Sequence, residues 1–457
     1  MGIKQRKRLL EWGKDLVIAL LAVSAVYLTL QGQLGENLAL SGWLGELTGI
    51  LGVGNTAIPS DQAEGQPVEL RPLRMAVNLP EVGTYGVQYD SAAVDRLSDK
   101  MFTILGEALG GAESPIQTTE AVWRTALTEQ SSVYFDFQGE APLSVLYAWT
   151  EAGPGEALLG VSARRLLLAE DEGGYMTLYY SNEATGLYYA CRTGDALKGH
   201  LQTVVAPYAA NVNGTTFAFE HGKGEGYGKL DPYVMLSKSG VPIEKSVYRV
   251  TNPVSGGQND QPRINMIESL GFHPQANSSY VAGGKQVVKE GTADTLVVYD
   301  SGAVEYHSTS AEEPKYPVGD GTGEPSALDL VKATQPLAER SAGTLAGDTR
   351  TAGVYLIGVT ALEDGGWQVN YGYQLNGATV QLGTEGYTAR FIVRDGRVSD
   401  FYLLLRSYTA TEEQVSVLPE LQAAAAMGAL NAGGKELLLA YEDSGAADTV
   451  RPAWIAE

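Results

Sequence analysis

Four histidines (His200, His221, His273 and His307) and one cysteine (Cys191) are the side chains best suited to metal binding or nucleophilic chemistry near neutral pH. Their spacing does not assemble either. The histidines are far apart, with no HExxH, no paired cysteines and no carboxylates at ligand spacing, so the sequence defines no zinc site. No GxSxG elbow and no SxxK motif is present to mark a serine nucleophile. Cys191 closes the apolar run Leu187-Tyr-Tyr-Ala-Cys191 and is expected to be a buried, inert thiol. The glycine series His221 to Lys229 (HGKGEGYGK) has the spacing of a loop that could bring amides to a phosphate. However, Leu230 follows Lys229 where a phosphate loop needs Ser or Thr, and no strand-to-helix turn surrounds it, so a loop between strands is expected. The 54 acidic residues allow many carboxylate pairs for glycoside cleavage, and the sequence singles out none of them. Asn213-Gly-Thr215 and Asn277-Ser-Ser279 match glycosylation sequons. The residues therefore assign no catalytic, metal or cofactor role.

What the sequence does define is a place in the cell. Leu16 to Leu30 (LVIALLAVSAVYLTL) carries no charge, and with flanks that reach the interface residues 16–34 are expected to form a transmembrane helix. Lys4, Arg6, Lys7, Arg8 and Lys14 precede it, and no Lys or Arg follows until Arg71. That bias orients the chain with residues 1–15 in the cytoplasm and everything after the anchor outside, at the cell membrane. A cleaved secretory signal shares the basic start and the apolar run, but Gln31-Gly-Gln-Leu34 is a poor cleavage site. Beyond the cytoplasmic tail, 27 basic residues face 52 acidic ones, a balance that repels nucleic acid and anionic headgroups. With one cysteine no disulfide can form within the chain, so packing must hold the fold.

The elements follow from periodicity. Residues 35–67 read as a juxtamembrane segment with an amphipathic stretch, Leu38 to Leu51, and then a linker. Three α+β domains are expected at 68–205, 211–310 and 325–457. In the first, Val94, Leu97, Met101, Ile104 and Ala108 form one stripe of a helix over Ser91 to Leu109. A second helix carries Trp123 and Leu127. Strands are expected at Val133 to Phe137, Leu143 to Trp149 and Leu158 to Ala169, with a hairpin from Tyr175 to Arg192. In the second, strands at Thr215 to Glu220 and Val247 to Thr251 precede a helix at Arg263 to Leu270, which opens after Pro262 and ends at Gly271. Short strands from Ser279 to His307 follow. The third starts with a helix capped by Ser326, and Asp395-Gly396 joins two strands as a tight hairpin. Thr411 and Gln414 have capping-box spacing, and a helix is expected from Pro419 to Leu430. The fold class is thus α+β: one transmembrane helix, then antiparallel sheets with packed helices, with a repeated C-terminal unit in which a helix precedes a strand, an Asp-Gly-type turn and a strand.

This organisation resembles the YycH and YycI regulatory proteins of Gram-positive bacteria. The resemblance is carried by Thr119 to Phe137 (TEAVWRTALTEQSSVYFDF), by SYVAGGKQVVKEGTADTLVVYDSGAVEYH, and by WQVNYGYQLNGATVQLGTEGYTARFIVRDGRV through to the C-terminal PAW. The three-domain length is closer to YycH. It implies a non-enzymatic role without cofactor. Members of that family sit beside a membrane sensor histidine kinase that controls cell-wall metabolism and modulate it through transmembrane and extracytoplasmic contacts, and pairing with a smaller YycI-like homologue is suggested. Ala19, Ala22, Ser24 and Ala25 are the small anchor residues that would let a partner helix approach. The other readings are an anchored cell-wall hydrolase or transferase with an unmarked carboxylate pair, and a binding module that inhibits a peptidase.

Overall fold

The computed structural model describes residues 68–456 apart from 154, 222–226, 228–229, 239, 257–259, 276–277, 310–311, 322, 344–351, 384–385 and 430–435. The expected tail, anchor and juxtamembrane segment lie outside the described residues. Among the described residues no helix is long and apolar enough to cross a membrane.

Alternating and continuous apolar runs build the first sheet. It contains β1 (Arg74–Leu79), β2 (Gly83–Gln88), β3 (Ile116–Thr118), β4 (Ser131–Pro142), β5 (Ser162–Glu170), β6 (Met176–Asn182) and β7 (Leu187–Arg192), in the order β2-β1-β4-β5-β6-β7-β3. Every neighbouring pair is antiparallel. Helix α1 (Ser91–Gly110) buries the whole stripe expected of it, and Asp90 caps it by accepting from Ala93 N–H at 3.0 Å. Helix α2 (Glu120–Glu129) packs Trp123 and Leu127 on the other face, against Tyr134 and Leu167. Both faces of the sheet are therefore covered, which is why its central strands carry apolar side chains on both faces, as in Val133-Tyr-Phe135 and Leu166-Leu-Leu168.

One expected strand is a helix. Leu143–Trp149 forms α3, with Pro142 at its start. All but one of its residues are buried, and an apolar run buried all round has no period to separate strand from helix.

The second sheet has eleven strands. They are β11 (Tyr280–Ala282), β12 (Lys285–Glu290), β13 (Asp294–Tyr299), β14 (Ala303–Ser308), β15 (Ala352–Ala361), β16 (Trp367–Leu375), β17 (Ala378–Leu382), β18 (Ala389–Arg394), β19 (Arg397–Leu404), β21 (Leu437–Asp443) and β23 (Pro452–Ala456). The order is β11-β12-β13-β14-β19-β18-β16-β17-β21-β23, with β15 also on β16. Two meanders, β12-β13-β14 and β16-β18-β19, meet where β14 pairs with β19. A helix precedes each in the chain: α4 (Gln261–Ser269), with Pro262 in its first turn, and α5 (Ala327–Gly343). Ser326 caps α5, its Oγ accepting from Asp329 N–H at 3.2 Å while Asp329 accepts in return. One core runs from Met101 and Phe135 through Met266 and Leu330 to Phe391 and Phe401, so α1, α4, α5 and the inner faces of both sheets share it.

A third sheet has three strands: β10 (Ile243–Thr251) lies between β20 (Ser407–Val417) and β22 (Thr449–Val450). Two more, β8 (Thr216–Phe217) and β9 (Met235–Leu236), pair by themselves. The Thr411 and Gln414 spacing is thus not a capping box. Thr411 Oγ1 donates to Val247 C=O at 2.9 Å across the β10–β20 ladder, and helix α6 (Glu420–Ala429) begins only after Pro419. Tyr408 with Ala410, and Val415 with Val417 beyond a shift of register, alternate as a strand does, and long-range pairing outweighs the local signal.

Candidate functional site

Three strands of the first sheet bury charge where apolar side chains would be expected. Arg74 lies at the start of β1, Asp136 lies in β4, and Arg164 with Arg165 opens β5 before an apolar run. Arg74 and Asp136 are each 1% exposed. A bulge makes the convergence possible: between Asp136 and Ala141 the β4–β5 register shifts, and Gln138 has φ of 59°. Arg164 Nε then donates to Asp136 Oδ1 at 3.1 Å, and its Nη2 reaches Glu436 Oε2 at 2.6 Å. Arg74 Nη1 donates to the other Glu436 oxygen at 2.8 Å. Glu436 directly precedes β21, so this cluster joins the two large sheets.

Electrostatics fix the protonation of the cluster. Burial alone would raise the Asp136 carboxyl, but Arg164, Arg74 and Arg165 more than offset it and hold it below the usual range. Burial opposes Glu436 in the same way, and Arg74 and Arg164 bring it down despite Asp136. Both acids are therefore ionised at neutral pH. Arg165 turns to the other side, where it donates to Asp231 Oδ1 at 3.0 Å and lies over the Tyr233 ring.

A second joint lies beside the first. Tyr89, with φ of 58°, takes Lys245 Nζ on its carbonyl oxygen, and the same Nζ reaches Asn376 C=O at 3.5 Å. Asn376 Oδ1 accepts from Ser91 N–H at 3.2 Å, so the β16–β17 turn also meets the first turn of α1. Desolvation lowers the Lys245 ammonium to about 8, with Asp90 pulling the other way. Near these joints a cleft of about 520 Å³ opens between Arg71, Asp95, Phe137, Glu339 and Tyr355. Arg71 is held by Glu69 at 3.0 Å and Asp99 at 2.8 Å, so its charge is already committed.

The residues singled out by sequence lie elsewhere. Lys4, Arg6, Lys7, Arg8, Lys14, Ala19, Ala22, Ser24 and Ala25 are outside the described residues. The histidines stay apart: His200 meets Glu107, His221 meets Thr216 and His307 meets Asp400. Among the described residues no group of three or more His, Cys, Asp or Glu could hold a metal ion. Cys191 is buried, and desolvation pushes its thiol up to about 12. Most of the glycine series falls outside the described residues. Asn213, in one of the two sequons, bonds both Gly86 N–H (3.1 Å) and Gly86 C=O (2.8 Å) through its carboxamide along the edge of β2. Sequence reasoning passed over Arg74, Asp136, Arg164 and Glu436. Their signal was charge inside an apolar strand run, as in VYFDF and SARRLLL.

Together these features define an α+β scaffold of two large sheets, antiparallel apart from the β17–β21 pair, locked by buried ions. Its fold is YycH-like: the crystal structure of YycH from Bacillus subtilis matches with a TM-score of 0.51 and 10% sequence identity, covering 86% of this chain and 95% of that one. No family model matches the sequence. No curated protein matches it.

Proposed function

We propose that this chain is a single-pass regulator at the cell membrane, with a cytoplasmic N-terminus and an extracytoplasmic α+β part, that modulates a sensor histidine kinase controlling cell-wall metabolism. The observation that carries this reading is the YycH-like fold across 86% of the chain, joined to a basic tail and an apolar run in the sequence ahead of it. The protein acts by contact rather than by catalysis, alone or with a smaller YycI-like partner. Its buried charges support this role. They are spent on one another rather than held for a substrate. To switch the kinase, the chain must bind two kinase states with affinities differing by about 1 to 3 kcal/mol.

The test is photocrosslinking in native membranes from a reactive residue replacing Ala22, with mass spectrometry of the product. A histidine kinase in the product is the expected result. Wall-synthesis enzymes alone, or no product from intact full-length chain, would overturn the proposal.

A further inference from the structure

Helices α4 and α5 pack on the inner face of the eleven-stranded sheet, and on its outer face the side chains of β13, β14, β19 and β18 are half-buried or exposed. Register places two rows on that outer face. Thr295, His307, Asp400 and Ile392 lie side by side across β13, β14, β19 and β18. Beside them run Val297, Glu305, Tyr402 and Arg390. The rows line a hollow of about 320 Å³.

Thr295, His307 and Asp400 have the residue types of a hydrolytic triad, with His307 Nδ1 at 2.6 Å from Asp400 Oδ1. The backbone does not complete it. The rows sit in the middle of paired strands, where the amide N–H groups are used by the ladder, and no described helix N-terminus or loop adds donors for an oxyanion. The face is built to recognise.

Its chemistry differs from the rest of the protein. Lys289, across from Thr295, and Lys285, across from Tyr299, extend the face over β12. The two acids are already engaged: Glu305 accepts from Tyr299 Oη at 2.8 Å, and Asp400 is taken by His307 and by Ser399 Oγ at 2.8 Å. Arg390 lies over the Tyr387 ring and meets no acid among the described residues. Next to it the Asn370 carboxamide oxygen is shielded from solvent with no donor. A chain that carries a formal charge of −22 thus presents here a face with two tyrosines, Tyr299 and Tyr402, beside three cations, Arg390, Lys285 and Lys289. Tyrosine and arginine are enriched at the centres of protein interfaces.

We infer that this outer face, centred on Arg390, Ile392 and Tyr402, docks a folded protein partner through an acidic patch that places a carboxylate against Arg390. Opposite charge favours that partner at this face and like charge repels it from the acidic remainder of the surface, which fixes the orientation of docking. The inference concerns only this sheet and holds whether or not the partner is a kinase.

The test places benzoylphenylalanine at Ile392 of the full-length chain in native membranes and identifies the crosslinked peptide. The expected product is one protein, joined through a segment bearing Asp or Glu. Arg390→Glu should then lower the yield about tenfold or more with the circular dichroism spectrum and melting temperature unchanged, and Lys in place of the crosslinked acid should restore it. A product formed only with a second copy of this chain, with an anionic lipid or polymer, or not at all would overturn the inference. So would a yield that Arg390→Glu leaves unchanged.

Discussion

Lys245 and Cys191 show how single buried groups set the pH response of this protein. Lys245 is 6% exposed, and its ammonium, lowered to about 8, is less protonated in the folded chain than in the unfolded one, where lysine titrates near ~10.4. Its contribution to stability is therefore fully present above ~10.4 and is lost as pH falls through about 8. Cys191 behaves oppositely. Its thiol, pushed up to about 12, keeps its proton after an unfolded thiol has lost it near ~8.5, so its contribution is present below ~8.5 and is lost as pH rises toward 12. The two slopes oppose one another between pH 8.5 and 10.4. Urea denaturation of full-length Lys245→Met and Cys191→Ala in detergent should separate them. Relative to the parent chain, the first should lose stability with rising pH across this window and the second should gain it, each by about 1 kcal/mol per pH unit. Neither role was legible in the sequence in full. Cys191 sits in an apolar run whose burial was readable, but the carbonyls that surround Lys245 come from Tyr89 and Asn376, far away along the chain.

Between elements, two bulges pack backbone against backbone. The bulge of β4 at Gly139 faces the bulge of β15 between Leu356 and Gly358, where the register on β16 shifts. A Cβ at Gly139 would overlap the Leu356 and Ile357 carbonyl oxygens, the latter at 2.6 Å, and backbone cannot rotate aside as a side chain would. Gly139→Ala should therefore cost about 1 to 3 kcal/mol, read as a lower urea midpoint. Gly160→Ala is the control: its added Cβ meets nothing within 4 Å, and the change should be neutral or slightly stabilising. Elements like α1 and the β6–β7 hairpin were readable because their signals are local, a stripe at helical spacing in one and a Gly186 turn closing on Asn182 in the other. Elements fixed by distant partners were not. The helix α3 lies in a run with no polar face, β20 is held by β10 some 160 residues earlier, and β17 gains its parallel partner β21 only through the fold.

Across the whole molecule, what local reading could not reach is the lock between the two sheets. Glu436 receives Arg74 and Arg164 from the first sheet and hands the chain directly to β21 of the second. An isolated buried ion pair often returns little against an apolar substitute, because desolvation consumes its Coulombic gain. Removing one partner is different, since the other charges stay buried. With Glu436 neutral, Arg74 and Arg164 share only Asp136, whose Oδ2 already lacks a hydrogen bond and stands 3.7 Å from Arg74. Glu436→Gln should thus destabilise the chain by about 3 to 5 kcal/mol at pH 7. The loss has a pH signature. Asp136 and Glu436 both titrate below the usual range, so their stabilisation is present above ~4.3 and disappears as pH falls through their folded values. The parent chain should lose stability steeply below pH 4, and Glu436→Gln, which has lost part of that stabilisation already, should fall less steeply. Urea midpoints measured at pH 7, 5, 4 and 3 would show this convergence. Parallel curves for the two chains would mean that Glu436 fills space at the joint and does not carry its charge balance.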